Sequence, residues 1–231
     1  MSQAIAKLRI VRDVFIPLGR AHLEGELSIP QGAHGVVLFA HGSGSSRHST
    51  RNKYVARTLR DSEIGTLLFD LLTEEEGEEE KYTRHLRFDI DLLAKRLVYV
   101  TDWLRKQEVV QNLPFGYFGS STGAAAALVA AAELKEQVAV VVSRGGRPDL
   151  AAESLPKVKA PTLLIVGGRD EQVISLNWEA YRLLRCEKRV EIVDRATHLF
   201  EEPGALEAVA RLAADWFKTH FESKVRAVGM P

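Results

Sequence analysis

The chain is short of cysteine. Of its 231 residues only Cys186 is one, which excludes an intrachain disulfide and a cysteine metal cluster. Standing alone, it reads as a small side chain on a helix. Net charge is lacking too, because 31 Lys+Arg balance 31 Asp+Glu. That balance speaks against a nucleic-acid partner, which is usually met by a basic face, and against a polybasic membrane anchor. No apolar run reaches the ~20 residues that a membrane helix needs. The first dozen residues alternate apolar and polar, without the continuous apolar centre of a secretion signal. There is no internal repeat and no long Pro/Gly/Ser linker. These absences predict a soluble, cytoplasmic chain forming one domain over residues 1–231, with neither nucleic acid nor membrane as partner. Monomer and homodimer both stay open.

What is present is a strand–helix alternation. Leu8, Ile10, Val14 and Ile16 alternate with polar residues, Gly19-Arg20 turns the chain, and Leu23, Gly25, Leu27 and Ile29 alternate again. Two alternating runs across a short turn predict an antiparallel hairpin. From Gly35 the apolar runs become continuous: residues 35–40, 66–69, 115–118, 138–142, 162–166 and 190–193. Runs without alternation suit strands buried on both faces, as in a parallel sheet. Helical patterns fall between them, at residues 53–59, 86–104, 124–134, 177–184 and 205–221. The pattern predicts a doubly wound α/β sheet with helices on both faces. The glutamates from Glu74 to Glu80, broken by Gly77, read as a solvated loop entering the long helix. Residues 223–231 read as a loose tail.

In such a sheet, ligands bind beyond the carboxyl ends of the strands. One strand there ends in Gly119-Ser120-Ser121-Thr122-Gly123 and runs into four alanines. This is G-x-S-x-G between strand and helix, the setting of a nucleophile elbow. Ser121 is the candidate nucleophile, and Ser120 lacks glycines at both flanking positions. A serine hydroxyl needs a base. Of the seven histidines, His198 follows the last strand and precedes the last helix. An acid should orient it. Asp170, just past the residue 162–166 strand, is the choice, with Glu171 and Asp194 as alternatives and helix capping as the structural competitor. The order Ser121, Asp170, His198 is serine–acid–histidine.

An oxyanion hole needs two donors. One is the amide of Thr122, and the other comes from the loop His41-Gly42-Ser43-Gly44-Ser45-Ser46, with Ser43 first and Gly44 second. Each donor is worth roughly 3–4 kcal/mol in the transition state. That loop lacks the Gly-Lys-Ser/Thr ending of a phosphate-binding loop. His41 and Arg144, both at strand ends, are candidate substrate-binding residues. The competing role for Arg144 is an ion pair with Asp149 or Glu153.

These residues resemble the α/β-hydrolase set, and within it the chain is most similar to the dienelactone-hydrolase-like family. The segments 41–52, 67–73 and 198–206 resemble one bacterial subgroup with a serine nucleophile. The resemblance covers about residues 11–221. It implies the α/β-hydrolase fold, with an eight-stranded sheet in which only the second strand is antiparallel, and ester hydrolysis through an acyl-enzyme. True dienelactone hydrolases have cysteine where Ser121 stands, which points to a more general esterase acting on small-molecule esters. Only residues 143–161 fill the gap where large lid domains occur, so no large lid and an open cleft are expected. No metal or organic cofactor is required. The same triad would serve a thioesterase or an amide or peptide hydrolase, and a binding protein on this scaffold is the rival from another class.

Overall fold

The structure is a computed structural model that describes residues 8–228. β1 (Leu8–Leu18) and β2 (Ala21–Pro30) turn back on each other and pair antiparallel. Ile16, Leu23 and Leu27 face inward while Val11 and Phe15 are exposed, the reason these strands alternate in sequence. β2 also pairs antiparallel with β4 (Gly65–Phe69). β3 (Val36–Ala40), β5 (Phe115–Ser120), β6 (Val138–Arg144), β7 (Thr162–Gly167) and β8 (Lys188–Val193) complete the sheet in parallel. The order is β1-β2-β4-β3-β5-β6-β7-β8, so among these eight strands only β2 runs against the rest. Every residue of β3 to β7 is buried, which is why those runs do not alternate.

Two cores cover the two faces. α1 (Thr50–Asp61) and α6 (Ala205–Val228) pack Val55, Leu59, Val209 and Phe217 on one face. α3 (Ile90–Arg105), α4 (Thr122–Leu134) and α5 (Glu171–Leu183) cover the other, around Leu97, Val100, Ala127 and Ala130. Burying a side chain such as Leu97 or Phe217 contributes about 1.5–3 kcal/mol. The alanines of α4 are buried nearly all round, so this helix lies close on the sheet.

Five local expectations are corrected. Cys186 is not on a helix but in the bend between α5 and β8. The glutamate run is not a loop but α2 (Glu74–Thr83). A capping box starts it: the Glu76 amide donates to Thr73 Oγ1 at 3.3 Å and the Thr73 amide donates to the Glu76 carboxylate at 2.9 Å. Its repelling acids find arginines elsewhere in the chain, Arg96 at 2.5 Å from Glu76 and Arg87 against Glu80. The long helix is interrupted, with a 3-10 turn at Leu86–Phe88 before Asp89 caps α3 through the Leu92 amide at 2.9 Å. α5 begins at Glu171, ahead of the apolar periodicity. Residues 223–228 of the expected tail are helical instead, because α6 continues to Val228. No helix breaker intervenes before Gly229, and residues 229–231 lie outside the described residues.

Candidate active site

Ser121 occupies the turn from β5 to α4 with φ 51° and ψ −122°. A non-glycine residue held there stores about 1–3 kcal/mol of strain, and the turn is pinned from both sides. The Ser121 amide donates to the Arg144 carbonyl at 3.2 Å, and the Ser121 carbonyl accepts from Ala124 and Arg147, each at 3.1 Å. The flanking glycines are forced by proximity. A Cβ on Gly119 would stand 2.8 Å from the Ala124 nitrogen, and one on Gly123 would stand 2.7 Å from the Ala40 carbonyl carbon. Ser120 is directed inward, its hydroxyl donating to Asn52 Oδ1 at 3.1 Å.

Asp170 stands at the N-cap position of α5 but makes no capping bond with its side chain. Its carboxylate instead accepts from His198 Nδ1 at 2.6 Å. Nδ1 therefore carries the proton, and Nε2 is left as an acceptor. Asp194, the alternative acid, is exposed and lies 3.4 Å from Arg195, and Glu171 sits in the first turn of α5. His198 stands at the same sheet end as Ser121: its Cε1 would be 3.5 Å from a Cβ on Gly145, the residue after Arg144. Among the described residues neither the Ser121 hydroxyl nor His198 Nε2 has a hydrogen-bond partner. Such bonds are often long without substrate.

The loop after β3 lies directly against this turn, with a Cβ on Gly42 placed 3.1 Å from Ser121 Cβ. Ser43 and Thr122 meet here. The Ser43 amide donates to Thr122 Oγ1 at 3.0 Å, and the two hydroxyl oxygens are 2.9 Å apart. The Thr122 hydroxyl thus fills the acceptor place at the Ser43 amide. His41 is committed to the backbone. The Leu71 amide donates to its Nε2 at 3.1 Å, and its Nδ1 lies 3.1 Å from the Gly42 carbonyl. Only the neutral ring with a proton on Nδ1 satisfies both. Burial, the largest influence, pushes its pKa down accordingly. Arg47 fastens the same loop to Asp70 and Glu24.

Beside Ser43 and Thr122 opens a cavity of about 440 Å³ with Leu71, Leu72 and Leu93 in its lining. α2 borders it through Glu74, Gly77 and Lys81. This wall is not readable from local residue patterns, because the acidic helix is paired with Arg87 and Arg96 further along the chain.

Arg144 does not make the ion pair weighed for it. Asp149 is taken by Arg147 through bonds of 2.9 and 2.7 Å. Arg144 is 7% exposed, and its side chain has no hydrogen bond or ion pair among the described residues. Its guanidinium carbon lies 5.7 Å from the centre of the Phe200 ring. The loop beyond it is held by Asn177, whose amide donates to Gly146 O at 3.1 Å. Among the described residues, no group of three His, Cys, Asp or Glu side chains could hold a metal ion, and no helix is long and apolar enough to cross a membrane.

Comparison with known proteins decides the family. A dienelactone hydrolase from Anabaena variabilis ATCC 29413 is 60% identical, with a TM-score of 0.89 over 91% of this chain and 98% of that one. The chain belongs to the dienelactone-hydrolase-like family of α/β-hydrolases. More distant members of the fold include Est1E from Butyrivibrio proteoclasticus, 14% identical with a TM-score of 0.75 over 91% of this chain and 99% of that one. No family model matches the chain. Proteins from two Mycobacterium tuberculosis strains are 55% identical over 208 residues, and both carry a provisional name as phosphoribosyl transferases. That match covers 90% of this dienelactone-hydrolase-like chain but 46% of theirs, so the chain spans about half the length of these relatives.

Proposed function

We propose that this chain hydrolyses small carboxylic esters through an acyl-enzyme formed on Ser121. The carrying observation is the 2.6 Å bond between His198 Nδ1 and Asp170, beside a serine held at positive φ. His198 Nε2 removes the Ser121 proton as the hydroxyl attacks the ester carbonyl. The carbonyl oxygen becomes an oxyanion facing the Thr122 amide, and the Ser43 amide joins once the Thr122 hydroxyl rotates away. The imidazolium, steadied by Asp170, protonates the departing alcohol. A water deprotonated by the same nitrogen then releases the acid. The cavity beside Ser43, lined by Leu71, Leu72 and Leu93, suits an apolar part of the substrate.

The name borne by the mycobacterial relatives favours a second activity in those longer proteins. Because the chain accounts for 46% of their length, we assign the transferase chemistry to the part it does not match.

A fluorophosphonate probe and a panel of 4-nitrophenyl esters and thioesters test the reading. Wild type should label and turn over esters, and Ser121→Ala should do neither. Unlabelled wild-type protein with no turnover on the panel would overturn it.

A further inference from the structure

Arg144 is the unusual group on the far side of Ser121 from the leucine-lined cavity. It lies opposite Ser120 in the β5–β6 pairing, and its own carbonyl accepts from the Ser121 amide. Buried cations are ordinarily paired, since a carboxylate offsets the loss of hydration. Here Nε is fully buried without a partner. Burial first, and then the like charge of Arg51, push the guanidinium down to about 10, which leaves it charged at neutral pH. No attraction from an acid figures among the influences on it.

A second guanidinium is close by. Arg51 stands in the first turn of α1, a turn with no acidic residue, and its own Nε is also buried and unpartnered. The neighbouring Asn52 receives the Ser120 hydroxyl, so this helix start adjoins the nucleophile turn. Arg51 Nη1 reaches Glu201 at 3.0 Å, and that carboxylate is 63% exposed. Phe200, against which Arg144 lies, and Glu201 both follow closely on His198. One buried guanidinium and one partly exposed guanidinium thus stand at the edge of the reacting groups.

We infer that Arg144 and Arg51 form an anion subsite that takes a phosphate group carried by the substrate. Two forked cations match a dianion with three terminal oxygens better than a planar carboxylate. Glu201 holds Arg51 in the unliganded chain and turns out to solvent when the anion arrives. As a statement about substrate, the inference rests on the serine-hydrolase reading. As a statement about anion binding, it stands apart from it.

Three matched esters test the substrate claim: 4-nitrophenyl butyrate, mono-4-nitrophenyl succinate and 4-nitrophenyl 3-phosphonopropanoate. Wild type should prefer the phosphonate ester to the butyrate by at least tenfold in kcat/KM. Arg144→Met should reduce that preference at least tenfold, Arg144→Lys should fall between, and Arg51→Gln should reduce it severalfold. No preference in wild type, or one unchanged in Arg144→Met, overturns the inference. A larger Arg144-dependent preference for the succinate ester overturns the phosphate assignment. Calorimetric titration with inorganic phosphate covers the case in which no ester is turned over or Arg144→Met fails to fold. Wild type should bind phosphate competitively with inorganic sulfate, Arg51→Gln should bind it more weakly, and Glu201→Gln more tightly. Wild type that binds no phosphate, or binding indifferent to both substitutions, removes the subsite whether or not Ser121 is a nucleophile.

Discussion

Asp170 takes the N-cap position of α5 yet gives its carboxylate to His198 Nδ1 at 2.6 Å, with no capping bond to its own helix. Asp170→Asn should therefore separate rate from stability. An amide in this place can present a donor to Nδ1 and favour the wrong tautomer, so kcat should drop about a thousand- to ten-thousand-fold. Because no cap is lost, the melting temperature should stay nearly unchanged. Steady-state kinetics beside a thermal melt checks both halves, and an intact kcat would remove Asp170 from the proposed triad.

Ser121 is held at φ 51°, so its Cβ is a source of strain. Ser121→Gly should abolish ester turnover and also stabilise the fold. Relief of about 1–3 kcal/mol of strain, less the ~0.5–1 kcal/mol entropic penalty of glycine, leaves a gain of about 1 kcal/mol. For a chain of this length that is roughly 2–4 °C in melting temperature. Ser121→Ala keeps the Cβ and should gain much less. A lower melting temperature for the glycine variant would contradict the strain argument.

Gly123→Ala should be severe. The added methyl would lie 2.7 Å from the Ala40 carbonyl carbon, and backbone on both sides cannot step aside cheaply. Destabilisation of roughly 3 kcal/mol or more is expected from overpacking of this kind. Chemical denaturation reads it directly, and a shift under 1 kcal/mol would show that the two segments separate easily.

Acidification should weaken the fold through His41. Burial holds its folded pKa below the usual 6.5, so the unfolded chain takes up the proton first. The contribution is complete above about pH 6.5 and is lost as pH falls below that value toward the folded pKa. His220, also pushed down by burial, adds a change of the same sign. The denaturation midpoint should drop between pH 7.5 and 5.5, and the drop should be smaller in His41→Gln. Equal drops in the two proteins would remove His41 as a contributor.

The chain alone should release no diphosphate from a phosphoribosyl diphosphate donor, if the transferase name of the longer relatives belongs to their unmatched part. A coupled diphosphate assay against candidate acceptors is the check. Sustained release by this chain would reverse the assignment.

The sheet was legible because burial on both faces erases alternation: residues 35–40 and 162–166 announce β3 and β7 by composition alone. Gly119 and Gly123 announced the tight turn from β5 to α4 because the approach to Ala124 and Ala40 tolerates no side chain. Pairings between distant residues were hidden. Nothing near Glu74 says that Arg96 and Arg87 will neutralise its helix, so α2 read as a loop. Nothing near Arg144 says that Asp149 will go to Arg147 instead. The Thr122 hydroxyl at the Ser43 amide was equally invisible, since it joins residues on separate loops across the sheet end.

Gly42 rests on Ser121, and Gly123 rests under Ala40 and His41. The two loops that would share an oxyanion are thereby interlocked like adjacent teeth, and neither can retreat without the other. The opposite wall is fastened differently, by an acidic helix whose ion pairs to Arg87 and Arg96 are partly buried and so only weakly screened by salt.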